Sequence, residues 1–122
     1  MKDWKKVLIS ETTPIREAIK VIDEGALQIA MVVDEEGRLL GTITDGDVRR
    51  GILKGIALEE LAVRIMNATP TVAHVEQSRD MILKLLRQKS LHQVPVLNQG
   101  GHLVGLEVIE DLLHPQAKDN LV

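Results

Sequence analysis

Residues 7 to 49 of this 122-residue chain repeat themselves, without a gap, 64 positions further along. Under that offset Lys20, Leu27, Val32, Gly37, Leu39, Gly41 and Asp47 fall on Lys84, Leu91, Val96, Gly101, Leu103, Gly105 and Asp111. The apolar plan repeats as well: Leu8, Ala18, Ile19, Val21, Ile22, Ala30, Val33, Leu40 and Val48 fall on Val72, Ile82, Leu83, Leu85, Leu86, Val94, Leu97, Val104 and Leu112. Unrelated α/β segments share composition, but not an ungapped register through a helix, two strands and their turns. The chain is therefore expected to be one unit written twice, with its two copies related by a pseudo-twofold axis.

Each copy has the same grammar. Thr13 followed by Pro14 predicts a cap and first position for a helix whose Ile15, Ala18, Ile19 and Ile22 share one face, with Gly25 ending it. Ile29 to Asp34 reads as a strand, Glu35-Glu36-Gly37 as a turn, and Leu39 to Thr44 as a second strand. A further helix starts near Asp45 and carries Val48, Ile52 and Leu53. In the second copy Ser78, Met81, Ile82, Leu85 and Leu86 replay the first helix. Val94 to Leu97, Gly100-Gly101 and Leu103 to Val108 replay the hairpin. Between the copies, Ala57 to Met66 predicts a short amphipathic linker helix, and Asn67-Ala68-Thr69-Pro70 leads into an extended Thr71-Val72. The expected fold class is α/β (α+β), two repeats each with a small, mostly three-stranded sheet and two helices. The expected boundaries are 1–56 for the first repeat, 57–66 for the linker helix, 67–117 for the second repeat and 118–122 for a tail.

Composition narrows the function. The chain is 44% hydrophobic yet has no Phe or Tyr and a single Trp, so its core is aliphatic. A net charge of −3 gives no basic field for a nucleic-acid backbone, and the lack of aromatics leaves no platform for stacking bases. Without cysteine there is no disulfide, thiolate metal site or Cys nucleophile. No apolar run approaches the ~20 residues that span a bilayer, and the Met1-Lys2-Asp3-Trp4 start lacks a signal-peptide core, so a soluble, cytoplasmic protein is expected. His74, His92, His102 and His114 lack the helical pairing of a zinc site, and Asp45 with Asp47 lacks the further oxygen ligands a metal needs. Ser10, Ser78 and Ser90 sit in no nucleophile-elbow context, and Gly37 to Gly41 lacks the Gly-Lys-Ser/Thr ending of a phosphate loop. Neither a catalytic residue nor a metal or catalytic cofactor is expected in this chain.

The segment Gly41-Thr42-Ile43-Thr44-Asp45-Gly46-Asp47 matches the Gly-x-x-Ser/Thr-x-x-Asp signature of cystathionine-β-synthase (CBS) domains, at the end of the second hairpin strand. Val94-Pro95-Val96, the Gly-Gly turn, Gly105 and the Ile65-Met66-Asn67 entry to the second copy also resemble that family. The resemblance implies a tandem CBS pair that regulates rather than catalyses. It implies an adenosine-type nucleotide (AMP, ADP, ATP or S-adenosylmethionine) in the cleft between repeats, and homodimerisation through the pair. More narrowly, Thr44 to Arg50 resembles CBS pairs fused to sugar-phosphate isomerases or to sugar-nucleotide-forming nucleotidyltransferases, and Lys118 to Val122 resembles the lead-in to the latter. This chain is then expected to be covalently attached to an enzyme domain.

Thr44 followed three residues later by Asp47 is also the pattern of a capping box, which needs no ligand. The same helix start presents unpaired amides toward a phosphate, which Thr44 can supplement. In CBS relatives the Asp matching Asp47 takes the two ribose hydroxyls, work suited to a carboxylate that accepts on both oxygens. The candidate ligand residues are Lys6, Met31, Thr44, Asp47, Arg49, Thr69, Thr71, Pro95 and Asp111: Lys6, Thr69 and Thr71 before the extended entries, Met31 and Pro95 at strand ends for a base, Arg49 or Arg50 for a phosphate. Val108 stands in the second copy where Thr44 stands in the first, with Glu107 and Glu110 beside it, so unequal pockets are expected. Two alternatives stay open: a structural homodimerisation module with decayed pockets, and a feedback site for a sugar nucleotide or cytidine nucleotide.

Overall fold

The computed structural model describes residues 3–113 and divides into two compact units, the first spanning Trp4–Pro70 and the second beginning at Thr71. The expected tail at 118–122 and His114 lie outside the described residues. The first unit runs β1 (Leu8–Ile9), α1 (Ile15–Gly25), β2 (Ala30–Val33), β3 (Leu39–Ile43) and α2 (Asp45–Leu53). β1 lies parallel to β2, and β3 returns antiparallel to β2, giving a three-stranded sheet in chain order. Parallel strands need a crossover, which α1 provides. The second unit repeats the order as β4 (Ala73–His74), α3 (Arg79–Lys89), β5 (Gln93–Leu97), β6 (Leu103–Val108) and α4 (Ile109–Leu113). This is the α+β fold class expected for each copy.

The offset of 64 read from the sequence persists in backbone detail. Val32 pairs with Gly41 and Val96 with Gly105, and the register shifts after Val32 in one sheet and after Val96 in the other. Both hairpins turn on a side-chain oxygen that accepts two backbone amides: Asp34 Oδ1 from Glu36 and Arg38, Asn98 Oδ1 from Gly100 and His102. Gly37 and Gly101 supply the positive φ, 86° and 81°, that closes each turn. Both crossover helices end on a left-handed residue, Ala26 at φ 59° and Ser90 at φ 56°. Gly25 therefore does not end α1 by its own conformation. It is buried, and an added Cβ would lie 2.5 Å from Val7 Cγ1, so its bare face lets α1 lie close to the residue before β1.

Each sheet packs its helices over an aliphatic core, Ile9, Ala18, Ile22, Ala30, Val32 and Ile43 in the first unit and Ala73, Ile82, Leu86, Val94, Val96 and Leu112 in the second. Burial of each Val, Leu or Ile contributes about 1.5–3 kcal/mol, enough in sum to hold a sheet without an aromatic anchor.

Two local expectations are corrected. The linker helix over 57–66 is not formed: only Ala62–Arg64 makes a single 3-10 turn. Its carbonyls are used elsewhere. Glu60 O accepts from Ile15 N–H at 2.8 Å and Leu58 O from Arg16 N–H at 3.0 Å, while Ala62 N–H donates to Thr13 O at 2.8 Å. Those amides open α1 and have no partner inside the helix, so the 58–62 segment caps α1 from outside. Thr13 is consequently not its cap: the N-cap is Pro14, with no side-chain bond, and Thr13 Oγ1 accepts from Ser10 N–H at 3.1 Å. In the second unit Ser78 does cap α3, accepting from Met81 N–H at 3.2 Å. The external cap is fastened by Arg16, whose Nη2 donates to Glu59 Oε2 at 2.6 Å. That bond holds the exposed Glu59 carboxyl below its ordinary value. A lowered carboxyl pKa means that the pair's contribution is present above the ordinary carboxylate value, is lost as pH falls through the folded one, and is screened by salt.

Replacing Gly25 by Ala should destabilise the protein by roughly 1–3 kcal/mol through overpacking against Val7, despite the better helix propensity of Ala. Adding Val7→Ala, which removes the clashing methyl, should leave the double variant more stable than the sum of the singles by at least about 0.5 kcal/mol in urea unfolding. Strict additivity would mean that this contact is not what requires glycine.

Candidate ligand site

β3 stops at Ile43 and α2 starts at Asp45, so Thr44 is the N-cap, in extended backbone at φ −118° and ψ 174°. Asp47 is the third helical residue, the position from which a side chain can reach back to the cap. Thr44 N–H donates to Asp47 Oδ2 at 2.9 Å and the Thr44 hydroxyl donates to the same oxygen at 3.1 Å, in a capping-box arrangement. With two donors already on it, Oδ2 belongs to the helix start. Oδ1 accepts from Arg50 Nη2 at 2.8 Å, and here the two partners differ: the Asp47 side chain is 13% exposed, that of Arg50 64%. The Arg50 guanidinium folds back over the first turn of α2, where a Cβ on Gly46 would lie 3.2 Å from Arg50 Nη1.

Opposite this face of α2 runs the segment 64–67. Thr42 N–H donates to Asn67 O at 3.1 Å and Asn67 N–H to Thr42 O at 2.8 Å, so the chain pairs briefly with the outer edge of β3. Two glycines permit the approach: a Cβ on Gly41 would lie 2.7 Å from Asn67 O, and one on Gly51 would lie 2.6 Å from Ile65 Cγ2. The signature glycine is thus a packing residue. Between α2 and the segment lies a cavity of about 230 Å³ lined by Asp47, Arg50, Gly51, Lys54, Arg64 and Ile65, among others. Asp47, Arg50, Gly51 and Lys54 share one face because they recur at helical spacing. Arg64 reaches the cavity from the other side while Nη1 donates to Glu60 Oε1 at 3.1 Å. A wider cavity of about 570 Å³ beside α1 sets Asp23 and Asp45 against Lys20 and is the poorer place for an anion.

Of the residues expected at the site, the structure joins Thr44 and Asp47 directly. Arg49 is exposed on α2, and Arg50 rather than Arg49 reaches the carboxylate. Lys6 is exposed within a 3-10 turn at Trp4–Val7, next to Lys5, whose ammonium lies 5.8 Å from the Trp4 ring centre. Met31 is fully buried in β2. Thr69 is exposed and donates to Asn67 Oδ1 through its N–H at 3.1 Å. Thr71, Pro95 and Asp111 belong to the second unit: Thr71 and Asp111 are half-buried, and Pro95 is buried in β5 opposite Leu106. Arg79 Nη2 donates to the Asp111 carbonyl at 3.3 Å. At the strand-to-helix junction of that unit stands Val108, buried and without a hydroxyl, before a helix that begins at Ile109. Sequence reading missed Lys54 and Arg64. Lys54 was detectable as Asp47 plus two helical turns, whereas the approach of Arg64 depends on the path of the connecting segment.

Among the described residues no group of three or more His, Asp or Glu is placed to hold a metal ion, and no helix is long and apolar enough to cross a membrane.

The chain is 32% identical over 100 residues to a probable arabinose 5-phosphate isomerase of Haemophilus influenzae, a match covering 80% of this chain and 29% of that protein. The chain thus spans less than a third of that relative's length. Its backbone superposes on a CBS domain protein of Pyrobaculum aerophilum complexed with AMP, with a TM-score of 0.77, 24% identity, and coverage of 91% and 86% of the two chains. It superposes also on CBSX2 in complex with AMP, with a TM-score of 0.79, 17% identity, and coverage of 93% and 88%. At such identities the likeness establishes the fold alone. The family model of the CBS domain matches twice, over residues 3–54 and 61–114, and the chain belongs to the CBS domain family as a tandem pair.

Proposed function

We propose that this chain is a regulatory module that binds an adenosine nucleotide at the start of α2, with Asp47 holding the ribose, Arg50 serving the phosphate, and Thr44, whose hydroxyl is given to Asp47, holding that carboxylate in place. The observation that carries the reading is the state of Asp47. Its Oδ2 is committed to Thr44, but its Oδ1 is held by a mostly exposed guanidinium. The expected grip of a diol on both carboxylate oxygens therefore narrows to Oδ1, which has two acceptor sites and a partner that can swing away. A guanidinium displaced from Oδ1 remains within a turn of the helix start, where a phosphate would favour both it and the helix dipole. Similar folds that carry AMP support an adenosine ligand.

Occupancy acts on an attached enzyme only through a difference in affinity between two arrangements of the module. The isomerase relative supports attachment to a sugar-phosphate isomerase. Attachment to a nucleotidyltransferase rests on the resemblance of Thr44 to Arg50 and of residues 118–122. A second reading, a dimerisation module, is favoured by Leu53, 85% exposed at the end of α2, and by Val108 in the second unit. The two roles are compatible in one protein.

Titration calorimetry with AMP, ADP, ATP, S-adenosylmethionine, CMP and GMP tests the reading. At least one adenosine ligand should bind with a dissociation constant below about 1 mM, near 4 kcal/mol of binding free energy. Asp47→Ala should weaken it roughly 10- to 100-fold, the loss of a charge-assisted hydrogen bond. Asp111→Ala should change it less than about twofold if the first unit carries the site. Because Asp47 also caps α2, the Asp47 variant should lose about 1 kcal/mol of stability without ligand, which circular dichroism must show to leave it folded. Unchanged affinity in folded Asp47→Ala would refute the assignment.

A further inference from the structure

The cavity beside Asp47 holds more positive charge than a sugar or a nucleoside would need. Arg50, Lys54 and Arg64 line it, Arg50 paired with Asp47 and Arg64 with Glu60, which leaves one cation in excess in a chain whose net charge is −3. The cations come from two separate segments brought together by the bare faces of Gly41 and Gly51, so their convergence is built by the fold. The ammonium of Lys54 has no ion-pair partner among the described residues, and Arg50 is held only by the carboxylate that a ribose would claim. Lys54, the C-cap of α2, stands seven positions beyond Asp47, about 10 Å along the axis. One phosphate on a ribose held at Asp47 meets Arg50 at most; a chain of two or three phosphates can continue to Lys54 and Arg64.

We infer that this cavity is a polyphosphate subsite, so that the module selects a nucleoside di- or triphosphate over the monophosphate, the nucleoside and S-adenosylmethionine. The inference rests on the nucleotide-binding reading above for the position of the ribose, but the cationic cavity stands without it. A purely structural account is that Arg50 serves only Asp47, that Lys54 complements the carbonyl end of α2 and that Arg64 serves only Glu60. That account predicts effects on stability and none on ligand choice.

The experiment is titration of the full chain with adenosine, AMP, ADP, ATP and inorganic tripolyphosphate, each against the parent, Lys54→Gln, Arg64→Gln and Asp47→Ala. ATP should bind at least tenfold more tightly than AMP, in a salt-dependent way. Lys54→Gln and Arg64→Gln should each weaken ATP about three- to tenfold while leaving AMP within twofold, so that the ATP-to-AMP ratio collapses in folded proteins. Equal binding of adenosine, AMP and ATP, all abolished in Asp47→Ala, would overturn the subsite and leave the nucleotide reading standing. Binding of tripolyphosphate and ATP alike, lost in Lys54→Gln but indifferent to Asp47→Ala, would overturn the ribose assignment and leave the subsite standing. No binding by any of the five would overturn both.

Discussion

The start of α2 is organised around one oxygen. Asp47 Oδ2 takes both the amide and the hydroxyl of Thr44, and in doing so fixes the residue at which β3 becomes α2. That cap adds about 1 kcal/mol to a helix start that the Val48 amide, donating to Thr44 O, also marks. Once it is fixed, the helical period sets everything downstream. Arg50 falls one turn from Asp47, where it can close on Oδ1. Gly51 falls on the same face, where the connecting segment must pass, and Lys54 falls at the far end of that face.

The two units share a backbone plan but not this junction. Register, hairpin turn and left-handed helix end agree at an offset of 64, because each is set by short-range chemistry that duplication copies intact. The junction differs by a hydroxyl: the buried side chain of Val108, at the end of β6, lacks the donor that Thr44 supplies. The start of each crossover helix differs too. The second unit uses Ser78, a cap within its own chain segment, while the first uses carbonyls from 58–60. The first unit therefore draws its connecting segment into its own fold, and that borrowing is what carries Ile65 and Arg64 to the face of α2.

This explains which features were legible in the sequence. The duplication, the strands, the crossover helices and the Thr44–Asp47 pair are local or periodic, so spacing alone reveals them. The 57–66 segment misled because its apolar residues, Leu58, Leu61, Ala62 and Ile65, recur as they would on an amphipathic helix. A segment that packs against a helix presents a similar pattern, and here the need of α1 for external carbonyls decides the outcome. Arg49 and Arg50 could not be separated by adjacency, although the i, i+3 relation to Asp47 favours Arg50 once the helix start is known. Arg64 was out of reach, since its neighbours are set by Gly41 and Gly51, whose bare faces matter only when the partner strand is in view.

The exchange proposed at Asp47 is energetically small, and that suits a sensor. An ion pair with a largely exposed arginine contributes on the order of 0–1 kcal/mol, and salt weakens it further. A ribose hydroxyl donating to the same oxygen gains about 1.5–3 kcal/mol, because that acceptor is charged and mostly shielded from water. Releasing Arg50 therefore opposes binding only weakly, and the freed guanidinium is returned to the ligand's own phosphate. The Thr44 bonds, being part of the helix cap, stay in place throughout. On that proposal, binding changes the position of one long side chain while leaving the strand-to-helix junction intact.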